Sequence, residues 1–161
     1  MKRLSLVFAI IGLMTAPAAA QSDLTSSGKE LAETIFGSIT KNPDGRLDMG
    51  EFVNFGNMIK ASMDANDDAK IDFEEFTTFD FGFQEIGKET GQERAFDTAQ
   101  KVLFAFWDRD GNGMISASEF HKSMISDFQR ADVDDDAFLS KDEFLHNYVV
   151  NRAYRAALSG S

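Results

Sequence analysis

The dipeptide Glu-Phe occurs four times at a regular spacing, and this repeat constrains the fold more than any other feature of the sequence. It begins at positions 51, 75, 119 and 143, so the intervals are 24, 44 and 24 residues. The first two copies map onto the last two at an offset of 68 residues. Because a fixed period indicates a repeated supersecondary unit, the chain is predicted to contain a duplicated pair of such units.

Each Glu-Phe dipeptide marks the end of a twelve-residue window rich in side-chain oxygens. We number these windows loop 1 (residues 40–51), loop 2 (64–75), loop 3 (108–119) and loop 4 (132–143). Loop 3, DRDGNGMISASE, has side-chain oxygens at its first, third, fifth, ninth and twelfth positions and glycine at the sixth. The eighth position is aliphatic in all four loops, which a solvated polar turn does not require. These residues are Leu47, Ile71, Ile115 and Leu139.

This pattern resembles the loops of the EF-hand family. In that family a calcium ion takes six to eight oxygens at about 2.3 to 2.6 Å, with a carbonyl from the seventh residue and a bidentate Glu at the twelfth. Glycine at the sixth position makes the sharp turn with positive φ. The resemblance covers about residues 24–158 and implies an all-α fold. It would consist of EF-hand helix-loop-helix repeats in two tandem pairs, with short strands at the eighth loop position.

The resemblance also implies a set of calcium ligands in three of the loops. The set combines carboxylate and amide oxygens with one backbone carbonyl in each loop. The implied ligands of loop 2 are Asp64, Asn66, Asp68, the carbonyl of Lys70, Asp72 and Glu75. Those of loop 3 are Asp108, Asp110, Asn112, the carbonyl of Met114, Ser116 through water, and Glu119. Those of loop 4 are Asp132, Asp134, Asp136, the carbonyl of Phe138, Ser140 through water, and Glu143.

Three positions depart from the family pattern. Thr40 stands at the first position of loop 1, where an Asp is expected, so one anionic ligand is missing. Ala69 and Ala137 stand at the sixth position of loops 2 and 4, where glycine is expected. The left-handed backbone conformation that this position requires costs an L-residue roughly 1 to 2 kcal/mol. Additional acidic positions in those two loops offset part of this cost. Our hypothesis is that loops 2, 3 and 4 bind calcium and that loop 1 is weak or empty; the alternative for any single loop is an acidic turn without a ligand.

Only twelve residues separate the two loops of each half (52–63 and 120–131). A calmodulin-like pair has room there for an exiting and an entering helix, whereas twelve residues make one helix of roughly 18 Å. One helix must therefore serve both loops, or break at a point such as Gly56. In this respect the repeat resembles the compact tandem EF-hands of secreted bacterial proteins. The sequence leaves open whether loop 1 pairs with loop 2 or with a loop of the other half.

The N-terminus has the features of a secretory signal peptide. Lys2 and Arg3 precede an apolar run over residues 4–14, and small residues follow up to Ala20. The run is shorter than the roughly 20 apolar residues that span a bilayer, so we expect cleavage before Gln21 rather than a membrane anchor. This predicts a periplasmic or secreted protein with no membrane insertion after cleavage.

The chain is predicted to divide into a signal peptide (1–20), a first EF-hand pair (21–86), a linker (87–92) and a second pair (93–161).

Charge and composition restrict the partners of the chain. The net charge is −11, and removal of Lys2 and Arg3 with the leader takes it to −13. Such a surface repels nucleic acid and anionic lipid and favours cations as partners. Cysteine is absent, so neither disulfides nor thiolate metal sites can stabilise the fold.

Two classes of calcium function remain open, and an enzyme is not expected. Calcium stabilises the fold in a structural or buffering role, or it opens a helix pair and exposes an apolar face to a protein partner, of which dockerin-like docking is a variant. The phenylalanines of segment 76–83 are expected in the core rather than on a binding surface. His121 and His146 are the available neutral-pH bases and are interpreted as surface residues.

Overall fold

The computed structural model describes residues 18–80 and 82–159, with the side chains from residue 28 onwards. Helices dominate the described chain, and the predicted all-α fold class is confirmed. The predicted signal peptide lies outside the described residues except for residues 18–20, which begin the first helix. In chain order the elements are α1 (Ala18–Ile39), β1 (Leu47–Asp48), α2 (Met49–Met63), β2 (Ile71–Asp72), α3 (Phe73–Thr78), α4 (Phe83–Glu89), α5 (Glu93–Trp107), β3 (Met114–Ile115), α6 (Ala117–Ala131), β4 (Phe138–Leu139), α7 (Lys141–His146) and α8 (Val149–Leu158).

The ninth and twelfth residues of each loop start the helix that follows it. In loop 1, Asp48 accepts a hydrogen bond of 2.8 Å from the N–H of Glu51, and Glu51 accepts one of 3.2 Å from the N–H of Asp48. This reciprocal capping box satisfies N–H groups that a helix start otherwise leaves unpaired. The same pairing begins α3, α6 and α7, with the pairs Asp72 and Glu75, Ser116 and Glu119, and Ser140 and Glu143.

A single unbroken helix joins the two loops of each half. Helices α2 and α6 each run for 15 residues, so the first of the two alternatives is correct and α2 does not break at Gly56. Gly56 instead packs against Met124 of α6. A Cβ atom at this position would lie 2.6 Å from the Sδ atom of Met124, so any larger residue here would require the side chain of Met124 to move.

The four short strands pair across the two halves of the chain. Leu47 of β1 lies opposite Leu139 of β4, and Ile71 of β2 lies opposite Ile115 of β3, both antiparallel. All four side chains are fully buried. This answers the question that the sequence left open: loop 1 pairs with loop 4, and loop 2 pairs with loop 3. Packing of α2 along α6 brings the loops at their ends together in this way.

One continuous apolar core connects the two halves. It contains Phe76 and Phe83 at 3% and 2% exposure, as expected, whereas Phe81 lies outside the described residues. The first part of the predicted linker 87–92 belongs to α4, and Gly87 is buried near Phe96 of α5. Within the described ranges, no helix is long and apolar enough to cross a membrane.

Candidate metal-binding loops

Loop 3 folds around the carboxylate of its first residue. Asp108 accepts hydrogen bonds from the N–H groups of Asn112 (3.1 Å) and Gly113 (2.9 Å), one on each oxygen. Asp110 accepts a second contact from the N–H of Asn112 (3.1 Å). Gly113 supplies the expected positive φ of 83°. These bonds point the first and third side chains towards the inside of the loop.

Loops 2 and 4 make the same turn without glycine. Asp64 accepts from the N–H of Ala69 (2.9 Å), and Asp132 accepts from the N–H of Ala137 (3.0 Å). Ala69 and Ala137 have φ values of 66° and 67°, so both alanines adopt the left-handed conformation that the sequence indicated as costly. Asn66 likewise turns its Oδ1 into loop 2, where it accepts from the N–H of Asp68 (2.9 Å).

The fifth side chain of each of these loops orients the seventh residue, whose carbonyl is an expected ligand. Its oxygen accepts the N–H of that residue at about the same distance in every case. The pairs are Asp68 with Lys70 (2.8 Å), Asn112 with Met114 (2.9 Å) and Asp136 with Phe138 (2.9 Å).

The glutamate at the twelfth position reaches across its loop. Oε1 of Glu119 accepts from the N–H of Arg109 (2.9 Å), and Oε2 accepts from the hydroxyl and the N–H of Ser116 (2.7 and 2.9 Å). The hydrogen bonds from Ser116 lower the pKa of Glu119 below its usual range, the hydroxyl contributing most. The carboxylate is therefore ionised at neutral pH. The same crossing bond joins Lys41 to Glu51, Ala65 to Glu75 and Val133 to Glu143.

Carboxylates converge in loop 3, and among the described residues no positively charged side chain lies between them. Ligand oxygens of Asp108, Asp110 and Glu119 all lie within 4.8 Å of one another. Arg109 is adjacent in sequence, but its guanidinium turns away and contacts the hydroxyl of Ser126 at 3.2 Å. A hard cation with oxygen ligands fits this arrangement, because it would offset the repulsion between converging anions.

A second group of converging carboxylates lies in loop 4. Ligand oxygens of Asp132, Asp134 and Asp136 also lie within 4.8 Å of one another. Burial raises the pKa of Asp134, and the negative charges of Asp136, Glu143 and Asp132 raise it further. Burial and the neighbouring negative charges therefore act in the same direction on this carboxyl. A hard cation would offset the repulsion between these anions as well, but in loop 4 one of them, Asp136, already pairs with Arg46.

Loop 2 holds its acidic groups further apart. Among the described residues, the groups of three carboxylates at such close range are those of loops 3 and 4. The expected ligands Asp72 and Glu75 cap α3, and the first ligand, Asp64, has Nζ of Lys60 at 3.9 Å from its Oδ2. The side chains of this ion pair are only 14% and 11% exposed. Sequence reasoning missed Lys60, which precedes Asp64 by one helical turn.

Loop 1 is closed by its own side chains. The hydroxyl of Thr40 donates to the carbonyl of Phe36 (2.8 Å). Nδ2 of Asn42 donates to the carbonyl of Arg46 (3.0 Å) and to Oε2 of Glu51 (2.9 Å), with Oδ2 of Asp48 at 3.4 Å. These three acceptors occupy the seventh, twelfth and ninth positions, so a neutral amide takes the place that a bound ion would have.

Arg46 connects loop 1 to loop 4. Its guanidinium pairs with Asp44 (Nε to Oδ2, 2.9 Å) and with Asp136 (Nη1 to Oδ2, 2.5 Å). Bonds from Arg46, first from its N–H and then from its guanidinium, lower the pKa of Asp44. Nothing in the sequence indicated this contact, because it spans 90 residues and depends on the pairing of β1 with β4.

The two histidines make no comparable site. His121 and His146 are both exposed, and Nδ1 of His146 lies 3.0 Å from Oδ1 of Asp142 on the same helix. This agrees with their interpretation as surface residues.

Comparisons with known proteins agree with the loop geometry. The family model described as EF hand matches residues 100–125, which include all of loop 3. The chain is 30% identical over 126 residues to the probable calcium-binding protein CML34 of Arabidopsis thaliana, covering 71% of this chain and 93% of that protein. It is 31% identical over 134 residues to the probable calcium-binding protein CML31 of Arabidopsis thaliana, covering 68% and 90%.

A third relative is matched over a smaller share of its length. The chain is 29% identical over 129 residues to calcium-binding protein LPS1-alpha of Lytechinus pictus, covering 68% of this chain and 38% of that protein. No solved structure gives a significant match.

Proposed function

Because the chain belongs to the EF-hand family, we propose that it binds calcium through loops 2, 3 and 4 and that the ion stabilises the fold. The observation that carries this proposal is the convergence of Asp108, Asp110 and Glu119 in loop 3 while Arg109 is turned away. The proposed ligands of loops 2 and 4 are those that the sequence indicates. Loop 1 takes no ion in this proposal, since the amide of Asn42 already satisfies its acceptors.

Calcium would stabilise the folded chain by linkage. Converging carboxylates repel one another in the calcium-free protein, and an ion that binds only the folded form shifts the equilibrium towards it. Extracellular modules of this kind have dissociation constants of roughly 10⁻⁴ to 10⁻³ M. At 1 mM free calcium, a site with a dissociation constant of about 10⁻⁴ M adds about 1.4 kcal/mol. Loops with a lowered calcium affinity would thus still stabilise the fold at such calcium concentrations.

A structural role is favoured over a sensor role by the shared helices. Calcium sensors open by changing the angle between the helix that enters a loop and the helix that leaves it. Here α2 and α6 each leave one loop and enter the next, and Gly56 of α2 packs against Met124 of α6, so a change of angle at one loop would also move the helix of the next loop. The apolar cavity in the core, lined by Phe55 of α2, Phe120 of α6 and residues of the surrounding helices, is only about 30 Å³. The alternative is an adaptor that exposes this lining to a protein partner.

We propose that the protein acts outside the cytoplasm, on the basis of residues 1–20. The charged start, the apolar run and the small residues before Gln21 support export and cleavage. Expression of the full chain in a Gram-negative host, followed by intact-mass measurement of the periplasmic fraction, tests this. The expected mass is that of residues 21–161, and a chain retained in the cytoplasm with its leader would contradict export.

Thermal unfolding tests the stabilising role of calcium. The melting temperature of residues 21–161 is measured in excess chelator, in 1 mM Mg²⁺ and in 1 mM Ca²⁺. Calcium is expected to raise the melting temperature by several degrees more than magnesium does. Glu119→Gln weakens a proposed ligand and reduces the increase, whereas the matched change Glu89→Gln, at an exposed residue of α4, leaves it intact. Equal melting temperatures in chelator and calcium would refute the proposal.

A further inference from the structure

Arg46 holds one of the proposed ligands of loop 4 before any ion binds. Its Nη1 lies 2.5 Å from Oδ2 of Asp136, and the other oxygen of Asp136 accepts the N–H of Phe138 at 2.9 Å. Both oxygens of this fifth-position carboxylate therefore have donors within the protein. Asp108 and Asp110 of loop 3 accept backbone N–H bonds only, and no side-chain cation pairs with them in the described chain.

The guanidinium is fixed from three sides. Asp44 of loop 1 binds it at Nε and Nη2, both at 2.9 Å. Its Cζ atom lies 4.2 Å from the ring centroid of Phe138, which is the seventh residue of loop 4. The antiparallel register of β1 and β4, with Asp48 opposite Phe138, brings these groups together. The contact is thus a product of the loop pairing and not of a chance surface approach.

In the part of the chain that the structure describes, loops 2 and 3 are not joined by such a bridge. Lys70 occupies the seventh position of loop 2, as Arg46 does in loop 1, but it makes no ion pair with any residue that the structure describes. The fifth residue of its partner, loop 3, is the neutral Asn112. A positive charge held between paired loops is therefore, within the described ranges, specific to loops 1 and 4.

We propose that Arg46 is an affinity-setting residue: an internal cation that lowers the affinity of loop 4 for calcium. This inference rests on the proposed calcium function of that loop. A divalent ion that binds Asp136 must either displace the guanidinium or bind beside a positive charge, and both cost free energy. Loop 3, which holds no such cation, fills first, and loop 4 fills at a higher calcium concentration. The chain thereby responds over a wider calcium range than equal sites would.

The effect is modest, because the side chains of Arg46 and Asp136 are 37% and 38% exposed and solvent screens them. We expect removal of the guanidinium to increase the calcium affinity of loop 4 by about two- to fivefold. Arg46→Lys keeps a positive charge and should remain close to the wild type.

A site-resolved calcium titration tests the inference. Amide signals of Ala137 and Leu139 report loop 4, and those of Gly113 and Ile115 report loop 3, in ¹⁵N-labelled wild type, Arg46→Gln and Arg46→Ala. Lys41→Gln is the matched control, since it removes the same charge from an exposed position of loop 1 that makes no side-chain ion pair among the described residues. Circular dichroism in chelator confirms that each variant is folded.

The expected result is a two- to fivefold lower midpoint for loop 4 in both Arg46 variants, with the loop 3 midpoint unchanged. Equal midpoints in Arg46→Gln and Lys41→Gln, or equal shifts in loops 3 and 4, would overturn the role of Arg46 while leaving calcium binding intact. A wild type whose loop signals do not respond to millimolar calcium would instead overturn the proposed function itself.

Discussion

The indole Nε1 of Trp107 donates a hydrogen bond of 3.0 Å to Oδ2 of Asp127, a carboxylate that is 1% exposed. Trp107 ends α5 and immediately precedes Asp108, the first residue of loop 3. The single tryptophan of the chain therefore contacts a buried acid and adjoins a proposed metal site. Its fluorescence can report on both.

Asp127 gives folding stability a defined pH dependence. Burial raises its pKa above the ordinary 3.8, against the opposing effect of hydrogen bonds from Arg130 and Trp107. The folded state thus binds this proton more tightly than the unfolded state. The stabilising contribution is fully present below the unfolded pKa and is lost as the pH rises through the raised folded pKa.

Urea unfolding of the wild type and Asp127→Asn from pH 4 to 7, without calcium, measures this contribution. The stability of the wild type relative to Asp127→Asn is expected to fall as the pH rises. Asp97→Asn, at an exposed position of α5, should show no such trend. A stability difference that stays constant across this range would contradict the assigned direction.

A fourth metal site can be introduced into loop 1. In Thr40→Asp with Asn42→Asp, a carboxylate replaces the missing first ligand and the amide no longer occupies the acceptors of Arg46, Asp48 and Glu51. Native mass spectrometry with calcium is expected to show one additional bound ion per chain relative to the wild type.

The control for this gain is Thr34→Asp with Ser38→Asp, which adds the same two charges at exposed positions of α1. It should leave the ion count unchanged. An unchanged count in the loop 1 variant would show that the closed amide arrangement is not what excludes calcium.

Lys60 is expected to lower the calcium affinity of loop 2. Its Nζ lies 3.9 Å from Oδ2 of Asp64, and little solvent reaches the pair. Lys60→Gln is expected to lower the calcium midpoint of the Ala69 and Ile71 amide signals by about two- to tenfold. Lys101→Gln, an exposed lysine of α5, removes the same charge away from the loops. Equal midpoints in the two variants would contradict a local effect of Lys60.

Gly56 should be required for the packing of α2 on α6. In Gly56→Ala the new methyl group meets Met124 at 2.6 Å, and overpacking of this kind costs about 1 to 3 kcal/mol. The helical preference of alanine over glycine, about 1 kcal/mol, offsets part of that cost. A net loss of about 1 kcal/mol is expected in urea unfolding.

Gly37→Ala is the matched control, because Gly37 is an exposed residue of α1 and an added methyl group there would meet no atom within 4 Å. It should stabilise the protein by about 0.5 to 1 kcal/mol. A Gly56→Ala protein as stable as Gly37→Ala would show that Met124 and the helices adjust without cost.

The local structure of the loops could be predicted from the sequence, because it depends on residues within each loop. The aliphatic eighth residues, such as Leu47 and Ile115, lie in strands and are buried, and the ninth and twelfth residues cap helices. The short spacing within each half indicated either a shared helix or a break near Gly56, and the helix is unbroken. These features depend on residues within one turn or loop.

The pairing of the loops could not be predicted, because strands of two residues carry the same pattern in all four copies. Packing of α2 against α6, through Gly56 and Met124, selects the partners. The contact between Arg46 and Asp136 follows from that pairing, so it could not be predicted from the sequence either. The missing Asp at position 40 indicated that loop 1 departs from the family pattern. The hydrogen bond from the amide of Asn42 to Glu51 could not be predicted, because its orientation depends on the folded loop.

A calcium titration of residues 21–161, with magnesium as control and a dye that reports exposed apolar surface, tests the stabilising role of calcium most directly. Trp107 emission is followed in the same samples. We predict that the emission changes with calcium while dye binding stays level or falls, because the ion stabilises a closed fold. Emission that does not respond to millimolar calcium, or dye binding that increases with it, would contradict that role.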